Sequence, residues 1–332
     1  MNAFSRKFKK TQCADPSNIR LETVGCPFGH RSPPERVLSG KDQLLSLPGI
    51  FTVVQCPDCG IMWTSPRPTQ ETIGYYYPSD YGPHQGAKIS SQGEKAGSRF
   101  GFSYLLKSLI RFSDQPIPDI PPGRMLEIGC ASGSFLNKLQ SLGWQCQGIE
   151  TSAAAARRAQ KLGFPVHVGP VETAPDPADP LDLIVGWMVL EHLHAPLEAL
   201  IKLYHWSRPG AWLALSVPNA GSLEFRIFKQ FWYALQLPNH LYHFTPRTLS
   251  MMLTQAGWGE IRIFHQRILT NGIGSLGIWL KEKKRFKTIA QKLIEFPQTV
   301  RFSSYGLYPL ALLAAFFGQT GRMTVWARRA DG

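Results

Sequence analysis

"MLEIGCASGSFL" occupies residues 125–136 and contains, in twelve residues, an apolar run, a cluster of small residues and the start of a helical pattern. Met125, Leu126 and Ile128 read as a buried strand. Gly129, Cys130, Ala131, Ser132 and Gly133 read as a tight turn, and Phe135, Leu136 and Leu139 then recur at helical spacing. A strand, a glycine turn and a helix in that order present backbone N–H groups and the positive end of a helix at the carboxyl edge of a sheet. The paring away of side chains predicts that something closely approaches the backbone there.

From Arg124 onward, strand-like runs alternate with helical ones, the pattern of a parallel sheet with crossover helices. Strands are expected at 124–129, 144–149, 164–168, 181–187, 211–217, 258–265 and 322–328, and helices at 134–142, 152–162, 195–207 and 246–256. The interval 266–321 is too long for an ordinary connection and predicts a helical insert before the last strand. Upstream, residues 1–85 hold four of the six cysteines and the cluster "YYYPSDYG". Residues 86–122 read as a linker around one short helix, "FSYLLKSLIRF", leaving 123–332 as the main domain.

A dinucleotide-binding turn would need glycine where Ala131 and Ser134 stand. The pattern acidic-x-Gly-x-Gly/Ala-x-Gly is filled instead by Glu127, Gly129, Ala131 and Gly133. This resembles the first motif of class I S-adenosylmethionine-dependent methyltransferases, in which the turn accommodates the amino-acid part of the cofactor. The next strand, "WQCQGIE", ends in Glu150, an acceptor-only group suited to two ribose hydroxyls. Glu150 also reads as a helix N-terminal acid ahead of "TSAAAARRAQ". "LDLIVGWMVLEHL" is similar to the L-E-H segment of the same families, and "SVPN" to the end of their fifth strand. "NHLYHFTPRTLSMMLTQAGW" resembles their H-L-x-x-F-[ST]-x-x-[ST]-L segment. The resemblance spans nearly all of 121–265 and returns at "RMTVWARR". It implies an α/β, Rossmann-like seven-stranded sheet with an antiparallel last strand. It also implies S-adenosylmethionine held by Glu127, Gly129, Ala131, Gly133, Glu150 and Glu191. Glu172, just after the third strand, is a further candidate near adenine.

"CPDCG" at 56–60 is a zinc-knuckle signal, two thiolates on a Pro/Gly turn. Its partner is "CPFGH" at 26–30, where Gly29 stands in place of the second cysteine and His30 follows. Cys26, His30, Cys56 and Cys59 are the expected ligands of a structural Zn2+, with Cys13 or His84 as alternative fourth ligands and a metal-free ribbon as the competing reading. The order of this ribbon, "SPRPTQETIGYYYPSDY" and the domain that follows resembles the zinc-ribbon methyltransferases that include deoxysugar C-methyltransferases.

Methyl transfer from a sulfonium is an in-line displacement, so the protein aligns the acceptor and removes a proton where one must leave. His192, His240 and a tyrosine from Tyr75, Tyr76 and Tyr77, with Tyr76 the first choice, are the candidates. The resemblance implies that these histidines line the active site and that a tyrosine reaches in from the small domain. Each histidine also reads as a hydrogen-bonded structural residue, as His243 does. The family's Y-H-E-H segment is Leu237, Pro238, Asn239 and His240 here, a departure that touches sugar-ketone C-methylation and not methyl transfer itself.

The net charge of +13 favours anionic partners or marks a merely basic surface. The fourth strand lacks the D/N-P-P-[YFW] ending of base N-methyltransferases, which speaks against nucleic acid, and the filled glycine motif speaks against a non-catalytic scaffold. A sugar, lipid-linked or secondary-metabolite acceptor is therefore expected, methylated at oxygen or carbon. The basic N-terminus is not followed by a signal-peptide core, and the apolar run 307–317 is too short to span a bilayer, so a cytoplasmic location is expected. Trp279, Phe286, Ile289 and Leu293 can share one helix face amid Lys281, Lys283, Lys284, Arg285, Lys287 and Lys292. This predicts either peripheral attachment to an anionic membrane through 279–317 or two helices packed on the sheet over the acceptor pocket.

Overall fold

The computed structural model of the chain describes residues 18–78, 117–283, 286–299 and 306–331. Cys13, His84, Lys284, Arg285 and the "FSYLLKSLIRF" segment lie outside the described residues. At the N-terminal end, strands β1 (Leu21–Glu22) and β5 (Arg67–Pro68) pair antiparallel. Between them β2 (Glu35–Gly40), β3 (Phe51–Gln55) and β4 (Met62–Thr64) form an antiparallel meander.

The apolar runs after Arg124 become β6 (Arg124–Ile128), β7 (Gln145–Glu150), β8 (Val166–Val168), β9 (Leu181–Trp187), β10 (Ser207–Pro218), β12 (Gly259–His265) and β13 (Arg322–Arg328). Their spatial order is β12–β13–β10–β9–β6–β7–β8. The pairs from β8 across to β10 are parallel, and β13 runs antiparallel to both β10 and β12. Both faces are covered, which is why the inner strands read as continuous apolar runs rather than alternating ones. Met125, Leu183 and Val185 face α1 (Ser134–Gln140) and α2 (Ala153–Lys161). Leu126, Ile128 and Ile184 face α3 (Pro196–Trp206) and α5 (Pro246–Gln255). The chain leaves β6 toward β7 on one side and returns to β9 on the other. The crevice at the carboxyl ends of β6 and β9 is thus the topological switch point, where open α/β sheets bind ligands.

The two sheets are joined. β11 (Tyr242–His243), which follows β10 in the chain, pairs antiparallel with β4 and becomes the edge of the N-terminal meander. The Thr64 amide donates to the Leu241 carbonyl at 2.9 Å, and the Thr64 hydroxyl donates to the His240 carbonyl at 2.8 Å.

The insert corrects one expectation. No single amphipathic helix runs through 279–293: α6 (Thr270–Glu282) ends before α7 (Lys287–Thr299) begins, and Phe286, directly ahead of α7, takes φ +53°. A Cβ on Gly277 would stand 2.8 Å from the Ala290 carbonyl oxygen and from Leu293 Cβ. Leu293 therefore faces α6 and shares no face with Trp279. The third helix, α8 (Tyr308–Phe316), leads into β13.

Candidate functional site

Gly129, Ala131 and Gly133 alternate through left-handed backbone, with φ of +70°, +47° and +79°. The turn is held by Gly129 and Cys130, whose amides donate to the Ile149 carbonyl at 2.8 and 3.2 Å. Glu150 closes it: one carboxylate oxygen accepts from the Ala131 amide at 2.8 Å and the other from the Ser152 amide at 2.7 Å. This is the helix N-terminal reading of Glu150, and each carboxylate oxygen keeps a further lone pair. What crowds the glycines is the chain itself. A Cβ on Gly129 would lie 2.6 Å from Val189 Cγ2, and one on Gly133 would lie 2.9 Å from Ala159 Cβ. Glu127 is buried beside this turn, with one carboxyl oxygen unpartnered among the described residues. Burial, and then the neighbouring Glu150, push its carboxyl up to about 8.

A second cluster stands across the crevice, on the short 3-10 turn Leu190–His192 that follows β9. His192 Nδ1 lies 2.9 Å from the Asn239 carbonyl oxygen and 2.8 Å from the Tyr77 hydroxyl. A carbonyl can only accept, so Nδ1 carries the ring proton, and Nε2 is the basic nitrogen of the neutral ring. His240 packs edge-on against His192, ring centroids 4.6 Å apart, and its Nδ1 donates to the Ala234 carbonyl at 2.9 Å. Its Nε2 stands 4.0 Å from a carboxyl oxygen of Glu191. Burial pushes Glu191 up to about 8 and His240 well below the ordinary imidazole range, so at neutral pH this is a contact between neutral groups and no ion pair. Both Glu191 oxygens are unpartnered among the described residues, as are Glu224 Oε1, the Asn271 side-chain amide and Arg322 Nε. A Cβ on Gly321, next to Arg322, would run into the Glu224 carboxyl, and one on Gly272, next to Asn271, would lie 3.8 Å from it, which sets these three residues side by side. Glu191, His192 and His240 also bring one ligand atom each within 4.8 Å of one another.

Tyr76 does not reach this cluster. Its ring is buried edge-on against Phe51, and its hydroxyl donates to the Pro48 carbonyl at 2.9 Å. The residue that arrives is Tyr77, the first after the 3-10 turn Ile73–Tyr76. Sequence alone put three adjacent tyrosines forward, and only the pitch of that turn separates them. Thr64 gave no sequence signal, and Asn239, whose side chain donates to the Tyr76 carbonyl at 2.8 Å, stood out only as a departure from the family's Y-H-E-H segment. His243 is buried against the Thr64 hydroxyl at 3.2 Å and packs, as expected.

Cys26, His30, Cys56 and Cys59 converge at the end of the meander, with all four ligand atoms within 4.8 Å of one another. The Cys26 and Cys59 sulfurs are 3.6 Å apart, and His30 Nδ1 lies 3.4 Å from Cys26 and 3.7 Å from Cys56. Tetrahedral zinc with bonds of about 2.0–2.3 Å needs edges of about 3.4–3.8 Å. Gly29, at φ +80°, is what swings His30 back toward Cys26.

Two further clefts lie elsewhere. β8 is followed by the single turn Val171–Thr173 in place of a full crossover helix, and the gap is lined by Asp176, Pro177, Lys202 and Trp206. Glu172 belongs to that turn; its carbonyl accepts from Lys202.

Residues 98–260 match a family model described as a methyltransferase domain. No curated protein matches the chain. Among solved structures, the chain is similar to a SAM-dependent methyltransferase from Thermotoga maritima, at 16% identity, covering 64% of this chain and 84% of that one with a TM-score of 0.43. It is similar to one from Mesorhizobium loti at 14% identity, covering 68% and 97% with a TM-score of 0.43. A third, from Archaeoglobus fulgidus, shares 19% identity over 62% and 86% with a TM-score of 0.39.

Proposed function

Proceeding from a chain whose larger domain is an S-adenosylmethionine-dependent methyltransferase, we propose that it methylates an oxygen or carbon of a small, hydroxyl-rich acceptor such as a sugar. The acceptor sits between the 3-10 turn after β9 and the N-terminal meander. The observation that carries this reading is the set of buried, unpartnered polar atoms on Glu191, Glu224, Asn271 and Arg322. Buried polar groups are ordinarily paired, and a set holding both donors and acceptors suits a ligand with many hydroxyls.

The bound cofactor would supply an already activated methyl on a sulfonium. Glu150 and Glu127 would hold it, the first through its remaining lone pairs and the second through the carboxyl oxygen that lacks a protein partner. His192 is the proton acceptor for an acceptor hydroxyl: the Asn239 carbonyl fixes its tautomer, and Tyr77, at the end of the 3-10 turn Ile73–Tyr76, braces Nδ1. Glu191 and His240, both neutral, orient the acceptor by hydrogen bonds. Cys26, His30, Cys56 and Cys59 would hold a structural zinc that ties down the meander with which β11 pairs.

Calorimetric titration with S-adenosylmethionine tests the cofactor half of the proposal. Glu150→Ala should weaken binding by roughly 1.5–3 kcal/mol, the worth of one or two charge-assisted hydrogen bonds. Unchanged affinity removes Glu150 from the ribose role. Methyl-labelled cofactor incubated with a sugar-containing metabolite fraction and, separately, with RNA tests the acceptor half; label in the RNA alone overturns it.

A further inference from the structure

We propose that α8, together with α4 (Leu223–Phe228), forms a face that rests on an anionic lipid bilayer. The sequence of α8, "YPLALLAAF", carries no charge, and Ala311 is its only buried residue. Leu310, Leu313 and Phe316 project to solvent, joined by Phe317; the two phenylalanines are 82% and 64% exposed. A surface helix ordinarily turns its apolar stripe inward and its polar face out, and this one has no polar face to turn. Exposed apolar area of this kind marks a binding surface.

Two contacts extend the strip and give it charge. Arg226 of α4 donates to the Gln319 side chain just beyond α8, bringing the exposed Leu223 and Ile227 to that end. At the other end Arg267 donates to the Tyr308 hydroxyl at 2.9 Å. The strip therefore carries an arginine at each end, and no other described element covers it.

Charge selects the occupant. A second copy would bring two chains of net charge +13 together, whereas an anionic headgroup layer is drawn by the same charge. Nine residues make a helix of about 14 Å at ~1.5 Å per residue, under half of a ~30 Å hydrocarbon core. No described helix is long and apolar enough to cross a membrane, so α8 lies in the plane of the interface. The attachment also has a direction. Asn219, directly after β10, donates to the Gly318 and Thr320 carbonyls at 3.3 and 3.0 Å. This staples the strip to the carboxyl edge of the sheet, where the Glu150 and His192 clusters lie, so that edge faces the bilayer.

Sedimentation of the full chain with phosphatidylcholine vesicles, with and without phosphatidylglycerol, reads the proposal directly. Binding is expected at low salt, only with the anionic lipid, and to weaken as salt rises. The double variant Phe316→Ser, Phe317→Ser should lose binding on the order of a hundredfold, because two aromatic side chains no longer enter the interface. Leu142→Ser removes another exposed apolar residue, at the opposite edge of the sheet, and should bind like the parent. Absence of binding at low salt, or a double variant that sediments like the parent, overturns the proposal. So does a parent that is dimeric in solution where the double variant is monomeric.

Discussion

Gly129 and Val189 are packed so closely that a methyl group on the glycine would lie 2.6 Å from Val189 Cγ2. The glycine also sits at φ +70°. Gly129→Ala therefore meets two separate penalties: about 1–2 kcal/mol for an L-residue in left-handed backbone and about 1–3 kcal/mol for overpacking. Urea denaturation should show their sum. Adding Val189→Ala should return the overpacking share and leave the backbone share, a positive coupling in a double-mutant cycle. Additive losses would mean that the glycine is required by something other than the valine.

That pair also marks how far the sequence could be read. The strand, turn and helix at 125–136 were legible because each has a local cause: an apolar run, small residues, a helical period. The close approach was legible too, but its agent was not, because Val189 comes from the far side of a parallel pairing and nothing local announces it. Tyr77 and Tyr76 are alike in composition and differ only in where one 3-10 turn ends. The stretch 279–293 has a sound helical period across a break next to which Phe286 takes left-handed backbone. β11 is two residues long, too short for any pattern, yet it joins the two sheets.

The buried carboxyl of Glu191 gives a pH signature. In the folded chain it keeps its proton up to about pH 8, while an exposed glutamate releases it near 4.5. Between those values the folded state holds one more proton than the unfolded state. This group's contribution to stability therefore falls as pH rises through that window and is level above it. Glu191→Gln imitates the protonated form and removes the slope. Thermal melts across the window should show the Tm of the variant rising relative to the parent as pH increases. A difference that stays flat with pH would mean that Glu191 is charged in the folded chain.

Metal content is the direct measure of the cysteine cluster. Protein purified without chelator should hold one zinc per chain, and Cys56→Ser should lose it. Because the meander it anchors includes β11, chelation should lower the Tm and also slacken the segment that carries His240. Near-zero metal in a chain whose melting is insensitive to chelator would leave a ribbon held by its strand pairing alone.

The two tyrosines separate structure from chemistry. Tyr76 donates its hydroxyl to the Pro48 carbonyl from a buried position, and burial pushes its phenol up to about 12. Tyr76→Phe should cost about 1 kcal/mol of stability through that lost bond and leave turnover unchanged. Tyr77 is half-buried, and its hydroxyl lies 2.8 Å from His192 Nδ1. Tyr77→Phe removes the brace on the proton acceptor, so the effect should fall on kcat, by roughly 10- to 100-fold, a part of the ~100- to 10,000-fold worth of positioned proton transfer, with little change in cofactor affinity. If the two variants exchange these behaviours, the active tyrosine is the one the sequence put first, and the site is closed by a different register of the 3-10 turn.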